Sequence, residues 1–157
     1  MKIGVVSDSH GQRAALKVAA QALGEVDLWL HAGDCSQDAS ALAEVSIAPI
    51  IAVKGNCDGS VQTKADEFIT LSGCRLWLTH GHRHGVKWNC DELVWWAKEY
   101  QVQGVIYGHS HLPDCHWEDG VLLLNPGSVA LPRQGRASCA LLEVTDEGVL
   151  TARIIEL

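Results

Sequence analysis

The chain has no apolar stretch approaching the ~18 residues of a membrane-spanning helix. No secretory leader is indicated either, because Met1-Lys2 runs straight into a short apolar segment. None of its six cysteines, Cys35, Cys57, Cys74, Cys90, Cys115 and Cys139, sits in a Cys-x-x-Cys pair, so free thiols in a reducing compartment are expected rather than disulfides. A basic excess is lacking as well. The formal net charge of −7 argues against a broad nucleic-acid surface, although it leaves phosphate substrates open, since bound metal ions add positive charge locally. Repeats, low-complexity tracts and linker-like segments are absent too. The expectation is a cytoplasmic protein with one domain, residues 1–157, long enough to bury a real core.

Short apolar runs read as buried strands: IGVV from Ile3, LWL before His31, PIIAV, LWL before Thr79, GVIY and VLLL. Helical patterns lie between some of them, at Ala14 to Leu23, Ser40 to Val45 and Asp91 to Tyr100. In the last of these Leu93, Trp96, Ala97 and Tyr100 fall at helical spacing. Early strand–helix–strand alternation predicts a largely parallel sheet. From Asp114 onward two hairpins replace the helices, one around Asp119-Gly120 and one around Glu147-Gly148. The expected class is α/β, parallel first and antiparallel at the end.

Nearly every apolar run is followed at once by a small polar cluster containing glycine: SDSHG, HAGDC, KGNCD, THGH, YGHSH and NPGS. In open α/β sheets the carboxyl ends of the strands form the edge where ligands bind. Six such clusters predict one shared site. Its candidate ligands are Asp8, His10, Asp34, Asn56, His80, His109 and His111. Ser9 reads as a spacer between Asp8 and His10.

This donor set is all oxygen and imidazole nitrogen, which suits Mn²⁺, Fe or Zn²⁺ better than a thiolate-bound structural zinc. Seven ligands exceed what one transition-metal ion takes, whereas two ions sharing a bridging carboxylate fit. Two divalent ions, less the charges of Asp8, Asp34 and a bridging hydroxide, leave the site at about +1, attractive to a phosphate anion. Coordination also lowers the pKa of water towards ~7.

Asp-x-His, Gly-Asp, Gly-Asn, an isolated His-Gly and Gly-His-x-His, in this order, resemble the calcineurin-like metallophosphoesterase superfamily. KGNCD, THGH, GHSH and NPGS followed by Pro132-Arg133 resemble its small YfcE-type phosphodiesterases. The resemblance spans residue 3 to about residue 133. It implies two mixed β-sheets packed as a sandwich flanked by helices. It also implies hydrolysis of phosphate esters, often diesters, with two divalent ions, Mn²⁺ foremost and Fe, Zn or Ni as alternatives. Asp8, His10, Asp34 and His111 would hold the first ion. Asp34 would bridge to the second, completed by Asn56, His80 and His109, with Asn56 also touching substrate.

Many superfamily members carry histidine after Gly-Asn to protonate the leaving oxygen, where this chain has Cys57 followed by Asp58. General-acid help is worth about 10²–10⁴-fold, so activated aryl esters should be preferred, with water, Asp58 or His82 as substitute proton donors. Arg133 is a candidate for bidentate phosphate contact. His31 reads as a packed residue with local hydrogen bonds, His84 and His116 as bland, and Asn125 and Ser128 as turn-shapers. Trp95 falls off the apolar stripe of its helix, making it a candidate contact in a homo-oligomer. The expected partner is a small phosphate-ester substrate, with no membrane and no nucleic acid. The alternatives are a phosphomonoesterase or a non-catalytic interaction scaffold on the same fold.

Overall fold

The computed structural model describes all 157 residues. In chain order the elements are β1 (Lys2–Val6), α1 (Arg13–Leu23), β2 (Leu28–His31), a 3-10 helix (Ser36–Glu44), β3 (Ile50–Ala52), β4 (Asp66–Leu71), β5 (Cys74–Thr79), α2 (Asp91–Glu99), β6 (Gly104–Ile106), β7 (Pro113–Glu118), β8 (Val121–Pro126), β9 (Ser138–Val144) and β10 (Leu150–Glu156). They form two five-stranded sheets, one ordered β10-β9-β1-β2-β3 and the other β4-β5-β6-β8-β7.

Five of the six apolar runs become inner strands covered on both faces; PIIAV instead forms the half-buried edge strand β3. β1 is parallel to β2, with Ile3 opposite Leu28, and antiparallel to β9, with Ile3 opposite Leu142. In the second sheet β5, β6 and β8 run parallel, and the antiparallel β4 and β7 close the edges. The sheets face each other across a core that includes Ile3, Val5 and Leu30 from one and Leu76, Leu78, Ile106 and Leu124 from the other. α1 and the 3-10 helix cover the outer face of the first sheet through Leu16, Ala19 and Leu42 around Trp29. α2 covers the second through Leu93, Val94 and Ala97 against Trp77, Val105 and Tyr107. The result is the expected mixed-sheet sandwich flanked by helices.

Two elements differ from expectation. β4 was not foreseen. Only its Ile69 is buried, the other residues being half-buried or exposed, so its apolar signal is weak. The helix expected at Ser40 to Val45 is instead a 3-10 helix starting at Ser36. Tertiary hydrogen bonds set it there: Asp58 accepts from Ser36, and Asp38 accepts from Ser9 and Gly11. No helix is long and apolar enough to cross a membrane. Trp95 is 54% exposed, as its position off the stripe predicts.

Candidate metal centre

The polar segments after β1, β2, β3, β5, β6 and β8 meet at one end of the sandwich. They are tied to one another: Asp8 N–H donates to Gly33 O at 3.0 Å, Gly108 N–H to His80 O at 3.1 Å, and Ser128 Oγ to Asp8 O at 2.8 Å. The backbones approach so closely that two glycines cannot carry a side chain. A Cβ on Gly55 would collide with Asp34 Oδ1, and one on Gly108 with Ser7 Oγ. A larger depression of about 1150 Å³ lies at the opposite end, around Met1, Gly24, Val26 and Ile47. It contains none of the candidate ligands.

Two groups of candidate ligand atoms converge. Asp8, His10, Asp34 and His111 make one; Asp34, His80 and His109 make the other; in each the atoms lie within 4.8 Å of one another. His111 Nε2 stands 3.2 Å from Asp8 Oδ1 and 3.2 Å from His10 Nε2. His10 Nε2 is 3.6 Å from Asp34 Oδ2, and His80 Nε2 is 3.3 Å from Asp34 Oδ1. Asp34 therefore offers one oxygen to each group. Asp8, Asp34 and His80 are almost wholly buried.

Backbone carbonyls orient the imidazoles. His80 Nδ1–H donates to Ala32 O at 2.7 Å and His111 Nδ1–H to Leu131 O at 2.6 Å, which turns both Nε2 lone pairs inward. Asp8 Oδ1 and His80 Nε2 are buried without a hydrogen-bond partner. Buried polar atoms are almost always satisfied, and a cation seated among these donors would satisfy both.

The charges suit that role. Burial alone would raise the Asp34 pKa, but the adjacent His80 imidazole and the hydrogen bond from Cys57 N–H outweigh it and hold the carboxyl well below the usual range. Burial opposes a proton on His80, yet its contact with Asp34 and the charge of Asp8 carry its pKa upward. His111 is raised chiefly by the Asp8 carboxylate beside its Nε2. His109 falls to about 4 through burial, then the nearby charges of His80 and Lys87. Asp8, His10, Asp34, His109 and His111 all adopt left-handed backbone angles, with φ between 46° and 66°. Such conformations cost energy and cluster where function requires them.

A family model described as the calcineurin-like phosphoesterase superfamily domain matches residues 1–147. The chain belongs to that superfamily. This calcineurin-like phosphoesterase is 32% identical over 157 residues to the Bacillus subtilis protein named "Probable metallophosphoesterase YsnB", covering 99% of this chain and 91% of that one. A conserved Streptococcus pneumoniae protein described as a predicted phosphoesterase superposes with TM-score 0.82 at 30% identity, over 99% of this chain and 88% of the other. YfcE, a phosphoesterase from Escherichia coli, superposes with TM-score 0.65 at 27% identity, over 91% and 88% of the two chains.

The remaining candidate residues of this calcineurin-like phosphoesterase lie around the two groups. Asn56 is exposed on the β3 loop, between Gly55, packed on Asp34 and His80, and Cys57, whose N–H donates to Asp34 Oδ1 at 2.9 Å. Its amide donates to Cys57 Sγ at 3.3 Å. Asp58 faces into its own loop, where Oδ2 accepts from Gly55 N–H and Oδ1 from Ser36. The His82 ring packs 5.4 Å from His80 and 6.0 Å from His109, with a buried, unpartnered Nδ1. Arg133 N–H donates to His111 O at 3.1 Å.

Ser9 is more than a spacer. Its hydroxyl is buried, donates to Asp38 at 2.8 Å and stands 3.3 Å from His31. His31 accepts from Gly33 N–H, and burial lowers its pKa to about 4. Asn125 and Ser128 do shape their turn, accepting from Gly127 and from Ala130 and Leu131, and they also bind the neighbouring loops. Lys87 escaped the sequence reading. With His109, Ser110, His111, Leu131 and Arg133 it lines a cleft of about 260 Å³. Its only signal was proximity in sequence to the THGH cluster.

Proposed function

We propose that the chain is a dinuclear metal-dependent phosphodiesterase acting on a small phosphate ester. The observation that carries this reading is the position of Asp34, with one oxygen turned to each ligand group. Asp8, His10, Asp34 and His111 would hold one divalent cation, and Asp34, Asn56, His80 and His109 the other. Bound there, two such ions, Mn²⁺ first and Fe, Zn or Ni as alternatives, would supply positive charge for the phosphoryl oxygens and activate water.

The chain's own groups prepare this chemistry. The carbonyls of Ala32 and Leu131 fix the tautomers of His80 and His111. Asp58 braces the Gly55–Asp58 loop through Gly55 N–H and so steadies the backbone that carries Asn56; the Asn56 amide would meet the negative charge that grows on phosphorus. His82, packed against His80 and His109, is the side chain best placed to relay a proton. Cys57 replaces the usual general acid, which favours leaving groups that depart unaided, as aryl oxides do. All six cysteines are free, in keeping with work in the cytoplasm. Exposed Trp95 offers a contact between copies.

Protein stripped of metal and reloaded with Mn²⁺ should bind two equivalents and hydrolyse bis(p-nitrophenyl) phosphate. Asp34→Asn should lower the bound metal and cut activity by at least about 100-fold. Undiminished activity in that variant would overturn the shared-carboxylate reading.

A further inference from the structure

The cleft beside the two histidine ligands carries a charge that the ester bond alone does not call for. It is lined by Lys87, His109, Ser110, His111, Leu131 and Arg133, with no carboxylate among them. Neither cation forms an ion pair; Lys2, Lys54, Arg75, Arg136 and Arg153 are also unpaired, but only Lys87 and Arg133 share this cleft, whereas Arg13, Lys17, Lys64, Arg83 and Lys98 are paired with carboxylates. In a chain of net charge −7, two uncommitted cations flanking one cleft call for an anionic occupant.

Both positions are fixed by structure. Lys87 follows Val86, which is buried against α2 and the second sheet and packs over Gly81. Two successive turns, His84 N–H to Gly81 O at 2.9 Å and Trp88 N–H to Gly85 O at 2.8 Å, bracket that anchor. Arg133 is tied through its own N–H to the carbonyl of His111. The His111 imidazole in turn donates to Leu131 O. The two cations are thus held on loops that are tied or packed around the ligands.

We propose that Lys87 and Arg133 form a subsite for a second anionic group, so that the preferred substrates are phosphodiesters carrying a further phosphate. This rests on the dinuclear reading above. With both ions bound, the centre carries about +1, which the single negative charge of a diester already matches. Lys87 and Arg133 add two positive charges beyond it. A terminal phosphate, at about −1.5 to −2 near pH 7, balances them. Arg133 supplies a planar fork suited to two phosphate oxygens, and Lys87 a point charge in the same cleft. Leu131, half exposed in the same cleft, gives the connecting carbon skeleton an apolar wall.

The test compares two esters with the same leaving group on Mn²⁺-loaded protein: phenyl p-nitrophenyl phosphate, and the same ester bearing a phosphonate para on the phenyl ring. Charge-assisted contacts of this kind predict a preference in kcat/KM of about ten- to a hundredfold for the phosphonate ester. Lys87→Met combined with Arg133→Met should bring the ratio of the two to within about twofold. Lys87→Arg combined with Arg133→Lys, which keeps both charges, should preserve most of it. Good turnover of both esters with no preference, or a double methionine variant that lowers both rates and leaves their ratio intact, would remove the subsite alone. Failure to hydrolyse either ester would remove the hydrolase reading and the subsite with it.

Discussion

Gly55→Ala should damage the protein before any metal is added. The backbone at Gly55 is not in the left-handed region, so alanine meets no conformational barrier there. The cost is steric. The new Cβ would collide with Asp34 Oδ1, and it would stand 2.6 Å from Asp34 N and 2.8 Å from His80 Cδ2. Two of those three atoms belong to buried groups of the centre, and one is backbone. Relief requires the Gly55–Asp58 loop to lift by about 1 Å, and overpacking of this kind costs about 1–3 kcal/mol.

Lifting the loop also breaks hydrogen bonds to carboxylates. Cys57 N–H to Asp34 Oδ1, at 2.9 Å, and Gly55 N–H to Asp58 Oδ2, at 2.7 Å, are both at risk. Losing one adds about 1.5–3 kcal/mol. A total near 3 kcal/mol or more is a large part of an ordinary folding free energy of about 5–15 kcal/mol. At about 2–4 °C per kcal/mol for a chain of this size, the midpoint should fall by about 6–12 °C. Urea and thermal unfolding in excess chelator, followed by tryptophan fluorescence, measure this directly. Gly120→Ala is the control: its φ of +80° is strained for alanine, but a Cβ there has nothing within 4 Å, so only about 1–2 kcal/mol should be lost. If Gly55→Ala costs no more than Gly120→Ala, the packed-backbone account of the centre is wrong.

Cys57→His should raise turnover of an alkyl phosphodiester at least about tenfold more than that of an aryl one, since general-acid help matters most for poor leaving groups; equal effects would refute the assignment. His116, on the exposed edge strand β7, stands 2.9 Å from Asp114 and 3.4 Å from Glu118. Burial opposes its charge, but these carboxylates win and raise its pKa. Its stabilisation is therefore full below the unfolded-state value of about 6.5 and fades as pH climbs through the higher folded-state value. His116→Gln should cost under about 1 kcal/mol near pH 5 and nothing at pH 9 in urea titrations, the side chain being 42% exposed. A penalty independent of pH would show that packing, not charge, is what the histidine contributes.

The inner strands could be read from sequence because burial on both faces leaves an unbroken apolar run, as in LWL and VLLL. The convergence of the polar clusters could be read because each begins where such a run ends. β4 could not, since an edge strand with one buried residue has almost no periodic signal. Nor could the return of β9 to pair with β1, which depends on how the last hairpin packs and not on its own residues. Ser9 was underrated for a related reason. Its hydroxyl matters only because Asp38, distant in sequence, is folded beneath it. Lys87 looks like any exposed loop cation until the fold brings it into one cleft with residues 109–111, 131 and 133.

The left-handed angles at Asp8, His10, Asp34, His109 and His111 restrict which amino acids these positions can hold. Asp, Asn and His are the non-glycine types most often found there, while branched side chains are strongly disfavoured. Alanine scanning of the centre would therefore remove a candidate ligand and disturb the local backbone together, whereas Asp→Asn exchanges separate the two. The same restriction bears on divergence. A relative evolving a different metal preference at such a centre would have little room to change the candidate ligands themselves. Its freedom lies in the loops that place the main-chain carbonyls of Ala32 and Leu131 behind His80 and His111, and in side chains such as Ser128, whose hydroxyl holds the Asp8 backbone.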